Sequence, residues 1–149
     1  MRHALVVVDG VLRDVVTGQP DELGRELYQA LATVYRITLI ADRQKKDLLD
    51  KWLFREGFDK HLAIDFNRYD DRLTQIRMIR ASQVVDLVVV PETDLVHDLY
   101  DMGVPVLVFV HPKHFGQVTR VPNWGELTKR IEEDRLRRRR LLREEIDGY

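Results

Sequence analysis

The sequence predicts an α/β fold in which a five-stranded parallel sheet is doubly wound, followed by a charged C-terminal helix. Short apolar runs rich in β-branched residues alternate with amphipathic stretches of helical period. The 149 residues are about the length of one domain, and 44% of them are hydrophobic, which allows a real core. The longest apolar runs, such as residues 4–8 and 106–110, are far shorter than the roughly 20 residues that cross a bilayer, so we expect no membrane partner.

The first half of the chain contributes two strands and two helices. Residues 4–8 form a run that ends at Asp9-Gly10, which is typical of a strand buried on both faces. A helix begins near Pro20, residues 36–41 form the second strand, and residues 44–56 form the second helix. The side chains expected on the buried faces of these helices are Leu23, Leu27, Leu31 and Val34, then Leu48, Leu49, Trp52 and Leu53.

The second half repeats this alternation. We expect strands at residues 61–64, 84–90 and 104–110, and helices at residues 71–81 and 92–102. Nearly every residue of 84–90 is apolar, as in a central parallel strand. The expected α/β domain therefore covers residues 1–121, and residues 122–149 are expected to carry the charged helix.

Ligands of doubly wound sheets bind beyond the carboxyl ends of the strands, so the residues after each strand are candidate site residues. They are Asp9, Gly10, Asp42, Arg43, Glu92, Asp94 and residues 111–114. Simpler interpretations exist: Asp9-Gly10 as a turn, Arg43 as an exposed cation, and Asp94 as an acid in the first turn of a helix. Residues 111–114 contain two histidines without a nearby carboxylate or cysteine, which favours a plain loop over a metal site.

The charged helix is expected at residues 126–147, which carry eight basic and seven acidic side chains. Pairs such as Glu133 and Arg137 are four residues apart, so the simplest interpretation is a solvated helix bridged by its own charges. The alternatives are docking on protein, as a partner or homo-oligomer contact, and binding of nucleic acid through the arginines. Arginines that are already paired with neighbouring carboxylates release few counterions on binding phosphates, so docking on protein is favoured over binding of nucleic acid.

The composition excludes several classes of protein. The 24 basic and 25 acidic residues provide no global field that would attract nucleic acid or a membrane. The chain has no cysteine, which excludes disulfides and thiolate metal sites and fits a reducing cytoplasm. The N-terminus has one Arg and a short apolar run that ends at Asp9, unlike a secretory signal.

The segment VVVDGVL, residues 6–12, resembles the first motif of the haloacid dehalogenase superfamily, where a buried strand ends in Asp-x-Asp-Gly-[Thr/Val]-Leu. In that family the first Asp attacks phosphorus and binds Mg²⁺, and the second Asp is the general acid. The match puts Asp9 at the general-acid position and Val7 at the nucleophile position. The layout of residues 4–115 is most similar to the phosphatase module of phage polynucleotide kinases, which implies a phage protein acting in the cytoplasm of a bacterial host.

The resemblance also implies that the catalytic motifs are degenerate. Besides Val7, Ala41 stands where the family has a phosphate-binding Ser or Thr, and Val90-Pro91-Glu92 stands where the Mg²⁺-binding Asp-Asp-Arg would be. Valine cannot bind a hard cation, which prefers oxygen ligands, so we expect no metal and no other cofactor.

Arginines are the remaining candidates for phosphate binding. Arg43 matches the arginine of the second motif, whereas the lysine of the third motif has only arginines as counterparts, and Arg72, Arg77 and Arg80 stay open as alternatives. The candidate phosphate-binding residues are therefore Arg43, Arg72 and Arg77.

Three functions follow as hypotheses. The first, favoured because three catalytic positions are lost together, is a phosphatase-like protein without catalysis that binds a protein partner or a phosphate ligand. The second is a divergent Mg²⁺-dependent phosphohydrolase that uses Asp9 on a nucleotide or a polynucleotide 3′-phosphate. The third is a nucleic-acid-binding module that works through the arginine-rich tail.

Overall fold

The computed structural model describes residues 1–110, together with residues 132, 133, 135–137 and 139. In this part of the chain, five parallel strands form one sheet of order β3-β2-β1-β4-β5. The strands are β1 (Arg2–Val7), β2 (Tyr35–Ala41), β3 (His61–Phe66), β4 (Leu87–Val90) and β5 (Val106–Val108). The expected α/β class and five-stranded parallel sheet are confirmed.

Helices alternate with these strands along the chain. They are α1 (Glu22–Ala32), α2 (Lys46–Arg55), α3 (Arg72–Ser82) and α4 (Val96–Asp101), the last preceded by a 3-10 turn at Thr93–Leu95. Side-chain caps fix two of the starts: Asp21 accepts from the Gly24 amide at 2.9 Å, and Asp71 accepts from the Thr74 amide at 2.7 Å. None of the described helices is long and apolar enough to cross a membrane.

The core lies on β1 and the strands beside it. Every β1 residue from Ala4 to Val7 is inaccessible to solvent, as are Leu39 and Ile40 of β2. This burial explains the near-continuous apolar sequence of these strands, since a central parallel strand faces protein on both sides. The central position of β1 brings the residues that follow it to the middle of the carboxyl edge of the sheet.

The prediction of which face of α1 is buried was wrong in part. Leu27 and Leu31 pack against the core as expected, but Leu23 in the first turn is 57% exposed, and Val34, 58% exposed, lies beyond the end of the helix. The fully buried residues of the helix are Gly24 and Tyr28. Gly24 decides this rotation, because a Cβ atom there would lie 1.7 Å from the Val11 carbonyl oxygen. Only glycine lets the helix approach the loop after β1 so closely.

In α2 the expected core residues Leu49, Trp52 and Leu53 are buried, but Leu48 is exposed. A ten-residue helix resting on one side of a sheet has room for one narrow apolar stripe, and Leu48 lies beside that stripe rather than on it.

Several element boundaries also differ from expectation. Helix α2 begins two residues later, at Lys46, and β5 is restricted to Val106–Val108. Strand β4 begins at Leu87 rather than at residue 84, and just before it Val84 and Asp86 bond to His3. The Asp86 amide donates to the His3 carbonyl at 2.8 Å, and the His3 ring bonds to the Val84 carbonyl at 3.2 Å.

The chain divides by its contacts into two units, Met1–His111 and Pro112–Tyr149. In the second unit, residues 132, 133, 135–137 and 139 are helical, and all of them fall within the helix expected at residues 126–147. The remainder of that expected helix, residues 111–114 and the expected boundary at residue 121 lie outside the described residues.

Candidate functional site

The carboxyl end of β1 places Asp9 at the edge of the sheet. Val7, the last residue of the strand, is fully buried, whereas the Asp9 side chain keeps 19% exposure. A tight turn follows, in which the amides of Leu12 and Arg13 donate to the Val8 carbonyl at 2.9 and 3.0 Å. The turn brings Arg13 back to Asp9, and Arg13 Nε donates to Asp9 Oδ1 at 2.7 Å. The carboxylate proposed as a general acid is therefore held by a guanidinium group.

Arg13, which the sequence analysis missed, fastens the loop after β1 to helix α2. Its Nη2 donates to Gln44 Oε1 at 3.0 Å, and its guanidinium carbon lies 5.1 Å from the centre of the Trp52 ring. The Trp52 indole in turn donates to the Gly18 carbonyl at 3.2 Å. These partners are about thirty or more positions away in sequence, so no local pattern could have revealed the role of Arg13.

Gly10 joins the ends of β1 and β4. Its φ of +97° is in the left-handed region, and a Cβ atom at this position would lie 2.7 Å from Cγ of Pro91. Gly10 and Pro91, which the sequence placed at two separate strand ends, are therefore in direct contact.

Arg72, the first residue of α3, connects two carboxylates that follow different strands. Its Nη2 donates to Asp42 Oδ1 at 2.8 Å, and its Nε lies 3.4 Å from Glu92 Oε1. The side chain of Arg72 is only 8% exposed, whereas Arg77 and Arg80 are exposed. Of the three arginines left open by the sequence, the fold brings Arg72 to the carboxyl edge and leaves the other two on the surface.

Gln75 supports Arg72 from one turn further along α3. Its Oε1 accepts from Arg72 Nη1 at 3.0 Å. Its Nε2 donates to the Asp65 carbonyl and to Asp65 Oδ1, both at 3.0 Å, and lies 3.4 Å from the Ala41 carbonyl. Gln75 is fully buried, and the sequence analysis missed it, although a glutamine on the apolar side of a helix is a recognisable signal.

The acidic candidates differ in how they are held. The Asp42 side chain is 60% exposed and forms an ion pair with Arg72. Asp94 is exposed on the 3-10 turn. Glu92 is more enclosed: its Oε1 faces Arg72, and its Oε2 is buried with no hydrogen-bond partner among the described residues. The carboxyl edge therefore contains one buried cation between two carboxylates.

Arg43 is exposed and is directed away from these carboxylates. Its Nη2 donates to the Arg68 carbonyl at 2.8 Å, and its Nε lies 3.4 Å from the Asn67 carbonyl. The side chain thus closes the loop after β3. Phosphate binding by Arg43 stays a prediction, and it would require the guanidinium group to leave these carbonyls.

Within residues 1–110 and the six described tail residues, no three His, Asp or Glu side chains are grouped closely enough to hold a metal ion. The sequence matches no protein-family model, and no curated protein matches it. The likeness of residues 6–12 to the haloacid dehalogenases therefore stays a prediction.

A cavity of about 270 Å³ lies away from the carboxyl edge and is lined in part by His3, Arg36, Thr38 and Asp65. The Val84 carbonyl can only accept, so Nδ1 of His3 carries the proton in the 3.2 Å bond between them. Nε2 of His3 is hydrogen-bonded to the Thr38 hydroxyl at 2.7 Å. The two buried polar side chains of this cavity therefore satisfy each other.

Proposed function

We propose that this chain is a non-catalytic binding protein on a phosphatase-like α/β scaffold, and that it acts by binding a protein partner. The observation that supports it most directly is the ion pairing of Arg72 with Asp42 and Glu92 at the carboxyl edge. Each of these carboxylates faces the Arg72 guanidinium group through one oxygen, and the positive charge makes that carboxylate a weaker base and nucleophile than a free one.

The residues at the ends of β1 and β2 support the same proposal. Val7 and Ala41 are fully buried, and neither side chain can attack phosphorus or donate to a phosphoryl oxygen. The strongest candidate acid, Asp9, is paired with Arg13. Binding of a protein partner could also cover large apolar side chains that are exposed here, such as Val16 at 86% and Phe54 at 85% exposure.

Retention of Asp9 at the edge of the central strand favours a second candidate, a divergent Mg²⁺-dependent phosphohydrolase. Hydrolysis of p-nitrophenyl phosphate in the presence of Mg²⁺ separates the two. We expect the rate with the protein to equal the buffer rate, since nucleophilic and metal-ion catalysis supply most of the acceleration in such enzymes. Turnover that requires Mg²⁺ and is abolished by Asp9→Asn would establish the phosphohydrolase instead.

Restoring the missing nucleophile provides a further control. The Val7→Asp variant is expected to stay inactive, because Arg72 still occupies the carboxylates and Pro91 supplies no metal ligand. Val7→Asn has nearly the same shape without the charge, and circular dichroism of both variants reports whether the buried polar group is tolerated. Mg²⁺-dependent activity in a folded Val7→Asp protein would show that the nucleophile alone was missing.

The third hypothesis, nucleic-acid binding through the arginine-rich tail, is tested by titrating a fluorescent random-sequence oligonucleotide at low and at physiological salt. We expect weak binding with a shallow salt dependence, because arginines that are bridged to carboxylates release few counterions. Tight binding with a steep salt dependence would support the nucleic-acid hypothesis and contradict the proposal of protein binding.

A further inference from the structure

The cavity of about 270 Å³ contains a cation and an anion that are not paired with each other. It is lined by His3, Arg36, Thr38, Asp65 and Gln83 together with the apolar residues 62–64, and we refer to it as the Arg36 cavity. The guanidinium group of Arg36 and the carboxylate of Asp65 form no ion pair. A cavity that keeps two unlike charges apart is suited to a ligand that carries both opposite charges.

The register of the strands places these charges on one side of the sheet. Asp65 of β3 is level with Ile40 of β2, and Arg36 precedes Ile40 by four residues. Residues an even number of positions apart in a strand share a face, so Arg36 and Asp65 are on the same face of the sheet. It is the face covered by α3, because the Asp65 carboxylate bonds to Gln75 of that helix.

The separation of the two charges along the strands limits the length of the ligand. Four residues of β2 lie between the level of Arg36 and that of Asp65, which is about 13 Å at roughly 3.3 Å per residue. Side chains stand roughly perpendicular to a sheet, and two charge-assisted hydrogen bonds take up about 2.8 Å each, so about 7 Å remain between the charged groups of the ligand. Two residues of extended peptide chain span about 7 Å.

Both charged groups have capacity for a ligand. Arg36 is exposed, and neither a hydrogen bond nor an ion pair joins it to another described residue. Asp65 Oδ1 accepts from Gln75 Nε2 at 3.0 Å, which holds the carboxylate in place, while Oδ2 makes no hydrogen bond within the described part of the chain. The Thr38 hydroxyl, bonded to the His3 ring, keeps capacity for one more bond, since a hydroxyl has one donor and two acceptor sites.

We propose that the Arg36 cavity binds a dipeptide with free ends, whose carboxylate pairs with Arg36 and whose ammonium group pairs with Asp65. The apolar residues 62–64 provide contact for a side chain of the peptide, and Leu62 among them is 69% exposed. The inference goes beyond the proposed function and does not rest on it, because it concerns a different cavity from the carboxyl edge.

The charges and the volume of the cavity favour a dipeptide over other small molecules. A phosphate ion would gain Arg36 but would meet Asp65 in the same cavity, and a simple amine would gain Asp65 but meet Arg36. Pockets that enclose drug-sized ligands measure roughly 300–1,000 Å³, so 270 Å³ fits a smaller molecule.

Chemical-shift titration of the isotope-labelled full-length chain with glycyl-leucine and with leucyl-glycine tests the proposal. We expect at least one of them to bind with a dissociation constant below about 0.5 mM. The acetylated form of that dipeptide lacks the ammonium group, and the amidated form lacks the carboxylate. Each should bind at least about tenfold more weakly, and inorganic phosphate should not compete with the dipeptide at about 10 mM.

Two substitutions assign the two ends of the ligand. Arg36→Met and Asp65→Asn should each raise the dissociation constant at least about tenfold, and Asn keeps the oxygen that accepts from Gln75. Asp65→Asn should not weaken the acetylated dipeptide further, because that form has no ammonium group to lose. Arg2→Met is the matched control, since Arg2 is exposed and lies on the opposite face from His3.

Thermal unfolding of each variant shows that it is folded before its affinity is compared. The proposal is overturned if neither dipeptide binds at about 10 mM, or if the blocked dipeptides or phosphate bind as tightly as the free dipeptide. An unchanged dissociation constant in the folded Arg36→Met protein, whose substitution is at an exposed position, also overturns it.

Discussion

Replacing Arg72 by methionine removes the only described cation buried at the carboxyl edge while keeping a long apolar side chain. The substitution breaks the bonds to Asp42 and Gln75 and leaves Glu92 enclosed beside no positive charge. Breaking a buried ion pair from one side costs about 3–5 kcal/mol. That figure must be reduced here, because Asp42 is 60% and Glu92 33% exposed, and water can replace part of the lost interaction.

We therefore expect Arg72→Met to lower the free energy of unfolding by about 2–4 kcal/mol. For a chain of this length that corresponds to a decrease in Tm of roughly 5–12 °C. The measurement is urea and thermal unfolding followed by far-UV circular dichroism. Arg77→Met, on the exposed side of the same helix, is the matched control and should change stability by less than about 0.5 kcal/mol.

A double-mutant cycle then assigns the loss to the ion pair. In the Glu92→Gln background the additional cost of Arg72→Met should be smaller by about 1–2 kcal/mol, since the enclosed charge that needed Arg72 is gone. Equal losses for Arg72→Met and Arg77→Met, or independent effects of Arg72 and Glu92, would refute the assignment of Arg72 as the central group of the carboxyl edge.

Two further predictions concern stability. Gly10→Ala should lower the free energy of unfolding by more than about 2 kcal/mol, because φ is +97° and the new Cβ would collide with Pro91. Gly18 is the control: its φ is +71° and nothing lies within 4 Å, so Gly18→Ala should cost only about 1 kcal/mol. Urea unfolding measures both losses. Equal costs would contradict a contact between the two strand ends. Burial lowers the pKa of His61 in the folded chain. As the pH falls through about 6.5, His61 therefore takes up a proton in the unfolded chain before it does so in the folded chain, and the free energy of unfolding decreases. His61→Gln should reduce this loss between about pH 7.5 and 5.5, and an unchanged pH dependence would show that other groups cause it.

The same histidine illustrates how tertiary contacts set protonation. Tyr28 Oη accepts from the Lys60 amide at 2.6 Å and is hydrogen-bonded to His61 Nδ1 at 3.0 Å. Burial raises the pKa of Tyr28 to about 12, which keeps the hydroxyl a donor throughout the pH range of these measurements. Nothing in the local sequence around either residue predicts this pair, because they are 33 positions apart.

The sequence by itself determined the α/β class, the number of strands, their parallel direction and their alternation with helices along the chain. It could do so because strand and helix periods are local properties, and because a short, uniformly apolar run such as residues 4–8 is typical of a buried strand. The run at residues 84–90 was less decisive, since only Leu87–Val90 form β4 and Val84 is 77% exposed. It also determined that Asp9, Asp42 and Glu92 come directly after strands, and therefore that they meet at one edge of a parallel sheet.

Only the tertiary structure decided what these residues do at that edge. The choice of Arg72 over Arg77 and Arg80 depended on which side of α3 faces the strand ends, and its carboxylate partners are 30 and 20 residues away. The close approach of Gly24 to the Val11 carbonyl turns the first turn of α1 so that Gly24 rather than Leu23 is buried, while Leu27 and Leu31 still pack against the core. Both outcomes have one physical reason: hydrophobic periodicity is a property of neighbouring residues, whereas ion pairs and steric fit depend on distances that exist only after the strands have paired.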